Sequence, residues 1–125
     1  MLHTTGRIAI TTDASGAATV YLGSVLRGYL VALNYRPGTL DTGADLTVTA
    51  ETSGAPILAK SNMGTGNSFL YPRALPTNAN SATGPLGTVP SERIPLVRER
   101  IKVVVAGGGN VLTGSIEATY ETTED

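Results

Sequence analysis

Apolar residues in this chain recur at every second position far more often than at every third or fourth, the spacing of half-buried strands. Ile8 and Ile10 alternate with Arg7, Ala9 and Thr11, and after Asp13-Ala14-Ser15-Gly16 the alternation resumes at Ala18, Val20 and Leu22. That turn chemistry predicts a β-hairpin, with Gly16 able to adopt positive φ. Tyr29, Val31, Leu33 and Tyr35 form one face of a further strand, with Leu30 and Ala32 on the other. Apolar residues on both faces predict a strand covered on both sides, and Arg36-Pro37-Gly38 ends it. Leu46, Val48 and Ala50 against Thr47, Thr49 and Glu51 give the cleanest alternation, and Pro56 to Lys60 is a shorter candidate. Ile101, Val103 and Val105, then Gly107-Gly108-Gly109-Asn110, then Gly114, Ile116, Ala118 and Tyr120 predict a second hairpin. Glu121 to Asp125 reads as a solvated tail.

No stretch carries apolar residues at helical spacing across three turns. Short strands separated by Gly/Pro turns imply an all-β fold, an antiparallel β-sandwich or barrel, in a single domain spanning 1–125. One segment breaks the pattern. Between Asn62 and Pro95 lie Pro72, Pro76, Pro85, Pro90 and Pro95, five of the seven prolines. Proline cannot donate to a β ladder, so residues 62–95 are expected to form no central strand. The segment also holds Phe69, Leu70, Tyr71, Leu75, Leu86 and Val89, too apolar for an idle linker. It is expected to be either an extended arm that orders against a neighbouring subunit or a long loop packed on its own sandwich.

Composition narrows the function. A chain of 125 residues can bury a core without staples, and with no cysteine it has neither disulfides nor thiolate metal ligands. Nine Lys and Arg against ten Asp and Glu leave a net charge of -1, with no basic surplus to hold nucleic acid. No apolar run approaches the ~18 residues that cross a bilayer, and Met1 to Thr12 does not resemble a signal peptide. The expectation is a protein made in the cytoplasm that binds neither membrane nor nucleic acid. A neutral, hydroxyl-rich surface suits packing against protein.

Candidate chemistry is sparse. His3, the only histidine, stands at the chain terminus, where nothing can hold a general base in a fixed pose. Gly107-Gly108-Gly109 follows a Val-rich strand as a nucleotide loop would, but no Lys-Ser/Thr pair closes it. Asp41, Gly43 and Asp45 resemble part of a calcium loop that lacks its final carboxylate. Leu40-Asp41-Thr42-Gly43-Ala44-Asp45 looks like the active-site turn of retrovirus-type aspartic proteases, in which each of two chains donates one Asp. Val104-Val105-Ala106-Gly107 imitates the segment that backs such an Asp. Against this reading, Gly114 to Tyr120 alternates as a strand where that family has a helix. The expectation is therefore a non-enzyme with no cofactor and no metal site, with a homodimeric peptidase using Asp41 as the alternative from another class.

Several segments together resemble a family of small tailed-bacteriophage proteins encoded among head genes. They are Gly6-Arg7-Ile8 through Thr12-Asp13, Leu40 to Asp45 running to Glu51-Thr52-Ser53-Gly54, Tyr71-Pro72-Arg73, and Glu99-Arg100-Ile101-Lys102-Val103-Val104-Val105. Members look like capsid decoration (cement) proteins, some of them jelly-roll sandwiches bound as oligomers outside the shell. The resemblance implies a jelly-roll-like sandwich on the outer capsid surface of a virion, a homo-oligomer (dimer or trimer), and the major capsid protein as partner. Phe69, Tyr71 and Arg73 are the residue types that dominate interface hot spots and are the expected anchors. Arg98 and Arg100 belong to the one dense charged run, Arg93 to Lys102, which could meet an acidic partner surface or is simply a solvated face. A minor head, spike or tail component is the alternative within the virion. A carbohydrate-binding sandwich is a further one, weakened by the absence of Trp and by only six aromatics.

Overall fold

The computed structural model describes residues 2–74 and 92–122. Within them the chain is all-β, with strands β1 (Leu2–Thr4), β2 (Ile8–Thr11), β3 (Ala18–Arg36), β4 (Asp45–Ala50), β5 (Pro56–Lys60), β6 (Ser68–Leu70), β7 (Arg73–Ala74), β8 (Glu92–Ala106) and β9 (Thr113–Glu121). Every pairing is antiparallel. The strands form a β-sandwich around one apolar core. One layer runs β5–β4–β8–β3, with Leu46, Val48 and Ala50 facing Val105, Val103 and Ile101, and these in turn opposite Ala18, Val20 and Leu22. In the other layer the second half of β3 lies between β9 and β6, and β9 carries β2 and β1 on its far edge. Leu33, Tyr35, Ile116, Ala118 and Ile10 fill the core from that side and are fully buried.

Strand β3 serves both layers because it breaks its own register. Gly23 and Gly28 take positive φ, and three residues of β3 lie between its pairings with Ile101 and Glu99. The compensating residue on β8 is Arg98, in a left-handed conformation (φ 52°), an extra residue of the kind that bends and twists a strand. At Gly28 the chains nearly touch, since a Cβ there would lie 1.9 Å from the Glu121 carbonyl oxygen.

Four expectations are corrected. Neither predicted hairpin forms. β2 pairs with β9, and the first half of β3 pairs with β8, so the Asp13–Gly16 turn arches between layers. Likewise β8 and β9 pair with β3 on different stretches, not with each other, and the Gly107–Asn110 turn is a second arch. The two arches lock together through Gly108 N–H to Gly16 O (2.9 Å) and Val111 N–H to Asp13 O (3.2 Å). Alternation fixes which way a side chain points, not which strand lies alongside. The hairpin that does form is β4–β5.

In β3, a register shift against β9 between Leu30 and Ala32 reverses the faces. Leu30, Leu33 and Tyr35 point into the core, and Tyr29 points out. Within 62–95 the described residues hold the short strands β6 and β7, each paired on one side, and the start of β8, where Pro95 stands opposite Tyr29. There β8 has β3 as its one neighbour among the described residues, the place where a missing N–H costs least. The rest of the expected arm, 75–91, lies outside the described residues. At the other end Glu121 still belongs to β9, paired to Leu2 and Tyr29, so the expected tail does not begin there, and 123–125 lie outside the described residues.

Candidate interaction face

Along β9, Ile116 and Ala118 are fully buried, so Ser115, Glu117, Thr119 and Glu121 point to the outer face of their layer. Cross-strand partners share a face, which places their neighbours. Leu2, Glu121, Tyr29 and Pro95 form one outward row, Thr4, Thr119 and Ala32 the next, and Glu117, Asn34 and Phe69 a third. Ser115 and Arg36 follow.

Strand β6 continues the alternation. Leu70 packs on the core and Pro72 is buried, while Phe69 and Tyr71 are 64% and 62% exposed. Leu2 is 60% exposed and Tyr29 36%. Four of the five large apolar residues exposed among the described residues therefore lie on one sheet face, the fifth being Val111 on a loop. Scattered exposed apolar residues need no explanation, but several on one face make that face the candidate interaction surface.

The middle of this face is polar and partly enclosed. Asn34 is only 6% exposed; its Nδ2 donates to Glu117 Oε1 (3.2 Å), and its buried Oδ1 accepts no hydrogen bond. Arg7 reaches the same Glu117 oxygen at 3.5 Å and donates to Ser115 Oγ at 3.3 Å. A buried acceptor left open is unusual and asks for a donor.

The sequence-predicted interface residues do not form one cluster. Phe69 and Tyr71 share the outward face just described. Arg73 pairs with Arg93 where β7 meets β8. Arg98 is exposed at the bulge. Arg100 belongs to the opposite layer, where its guanidinium forms a two-point ion pair with Glu51 and lies 4.2 Å from the Tyr21 ring centroid. Hydrogen bonding to Arg100 holds the Glu51 carboxyl below the ordinary range and raises the guanidinium in turn. Its charge is thus engaged within the chain. Glu99, from the same charged run, turns inward and is buried: Oε1 accepts from Thr52 N (3.0 Å) and Ser53 N (2.9 Å), and Oε2 from Ser53 Oγ (3.2 Å). The run is neither one patch nor one solvated face.

The Asp41 turn packs on the glycine arch. Asp41 N–H donates to Gly108 O (3.0 Å), Ala44 N–H donates to Asp41 O (3.1 Å), and a Cβ at Gly109 would fall 2.9 Å from Asp41 Oδ2. These two segments, far apart in sequence, do meet, but the chain beyond the arch is strand β9. Among the described residues no group of three or more His, Asp or Glu is arranged to hold a metal ion.

Sequence reading missed Asn34, Glu117, Leu2 and Tyr29. The odd-numbered positions of β9 carried the signal, yet which residues flank them depends on pairings that alternation does not encode. Comparison with protein families finds no model that matches the chain, and comparisons with curated proteins and with solved structures find no match either.

Proposed function

We propose that this chain is a virion structural protein that decorates a tailed-bacteriophage capsid, binding across seams between major capsid subunits and resisting their separation. The observation that carries the reading is the convergence of Leu2, Tyr29, Phe69 and Tyr71 on one outward sheet face. A protein with such a surface acts by being covered by other protein. The resemblance to phage head-gene proteins supplies the assembly. Phe69 and Tyr71 serve as anchors, aromatics whose burial dominates the energy of an interface. Repetition over a shell converts modest affinity at each site into tight retention.

Electron cryo-microscopy of a particle carrying this chain tests the proposal. The expected result is density in many copies on the outer shell, astride capsomer boundaries. A few copies at a vertex or tail would replace decoration with the minor-component alternative. The peptidase alternative requires cleavage at acid pH that Asp41→Ala abolishes; the present reading expects no cleavage by either form.

A further inference from the structure

We propose that the interlocked arches at the end of the sandwich form a second contact, in which Val111 enters a shallow apolar recess rimmed by Lys or Arg on a neighbouring capsid subunit. The inference rests on the assembly reading above and adds a surface that the outward face does not contain. Its starting point is an oddity of side-chain choice. Val111 has a φ of 50°, a left-handed conformation that a β-branched residue almost never adopts. The preceding Gly107-Gly108-Gly109-Asn110 consists of residue types that accept such angles readily, yet the strained position itself holds valine. The valine side chain does nothing there for the fold. It is 61% exposed and stands outside the core cluster, and the bond from its amide to Asp13 O needs no side chain. Strain kept without a packing return points to a contact outside the chain.

The arch holds that side chain in one place. Gly108 N–H donates to Gly16 O (2.9 Å), Asp41 N–H to Gly108 O (3.0 Å), Thr12 Oγ1 to Gly109 O (2.7 Å), and Leu112 N–H to Thr12 Oγ1 (2.9 Å). A group ordered before binding loses little entropy on binding. Charge selects the partner. Asp13 lies beside Val111 through the amide bond, and Asp41 beside Gly109, where a Cβ would stand 2.9 Å from its Oδ2. The loops that build this end, 12–17, 37–44, 61–67 and 107–112, hold two Asp and no Lys or Arg. An apolar tip in an acidic surround fits an apolar recess with a basic rim. Its position also suits a seam. The tip lies at the strand ends, about 13 Å along β9 from the Phe69–Asn34–Glu117 row at ~3.3 Å per residue, and off that face. One chain thus presents two surfaces, one on a sheet face and one at the strand ends, as a clasp across two subunits requires.

Co-sedimentation with mature phage shells, at subsaturating protein and over a range of NaCl, tests the contact with wild type, Val111→Gly, Asp41→Asn and the Phe69→Ala/Tyr71→Ala double variant. Val111→Gly relieves the strain, so it should melt above wild type and yet lose about fivefold or more in occupancy. Opposite signs for stability and binding separate a contact from a structural role. Asp41→Asn removes a carboxylate that forms no hydrogen bond among the described residues; it should lower occupancy at low salt and flatten the salt dependence. The chain has no cysteine, so Val111→Cys carrying a benzophenone maleimide labels one point, and its crosslink should fall in a capsid subunit beside Lys or Arg. Full occupancy by Val111→Gly, a salt response untouched by Asp41→Asn, or a crosslink to a second copy of this chain would each overturn the proposal. Loss of binding by the double variant with none by Val111→Gly keeps decoration and removes only this contact; a wild type that ignores shells removes both.

Discussion

Substituting Gly28 by alanine should unfasten one end of the sandwich. Gly28 has a φ of 127°, and a Cβ built on it would lie 1.9 Å from the Glu121 carbonyl oxygen and 2.8 Å from the Thr122 Cα. Ordinary contact begins well beyond 3 Å, so the β9 backbone must retreat by more than 1 Å, and no side chain can yield in its place. Backbone strain at such a φ costs about 1–3 kcal/mol. Displacing packed backbone costs another ~1–3 kcal/mol. The sum, about 2–6 kcal/mol, is a large part of the stability of a domain this size. Gly54 is the control: its φ is 75° and a Cβ there meets nothing within 4 Å. Gly54→Ala should show the strain alone, about 1 kcal/mol. Urea denaturation of both variants measures the difference. Amide exchange should also locate the damage in Leu2–Thr4 and the end of β9, the strands that carry the Leu2–Glu121–Tyr29 row. If Gly28→Ala proved no more costly than Gly54→Ala, the close approach of β3 to β9 would be wrong.

Other perturbations probe separate parts of the fold. Glu99→Ala removes the buried carboxylate that accepts from the amides of the exposed Thr52–Ser53 turn and should cost about 1–3 kcal/mol in chemical denaturation; a neutral effect would contradict that role. Val111, a β-branched residue at φ 50° whose side chain is exposed, stores left-handed strain of about 1–2 kcal/mol. Val111→Gly should therefore raise the melting temperature by a few degrees, and a fall would refute the strain. Asp13 is held below the ordinary carboxylate range first by the Ala17 amide and then by Ser15, and Glu51 first by its hydrogen bond from Arg100. Folded values below unfolded ones mean that their stabilisation is complete above the ordinary carboxylate range and fades as pH falls through the lowered values. Asp13→Asn with Glu51→Gln should accordingly flatten the loss of melting temperature on acidification, and an unchanged acid limb would contradict this.

Strands β2, β4, β5 and β9 and the core parts of β3 and β8 were legible in the sequence because each needs only its own two-residue alternation, whereas β1, β6, β7 and the first part of β8 were not. Leu46-Thr47-Val48-Thr49-Ala50 states its buried face outright, and β4 and the core half of β8 follow the pattern residue by residue. Partnership was not legible. Asp13-Ala14-Ser15-Gly16 has hairpin chemistry, yet it carries the chain from one layer to the other. What decides between the two is the interlocking of Gly16 with Gly108, 92 positions away. The bulges at Gly23, Val31 and Arg98 were hidden for a related reason: an extra residue changes the face without interrupting an apolar run. The interaction face inherited both obscurities. Phe69 and Tyr71 stood out by type, whereas Asn34 and Glu117 acquire meaning only once β3 lies between β6 and β9. Arg100 and Glu99 looked like one charged stretch, but the Arg98 bulge sends them to different destinations.

Co-sedimentation of the Phe69→Ala/Tyr71→Ala double variant with mature phage shells tests most directly whether this protein works through its outward face. Both side chains are more than three-fifths exposed, so the variant should keep the melting temperature of the wild type. It should nonetheless lose at least tenfold in occupancy on the shells. Full occupancy by a folded double variant would contradict the account.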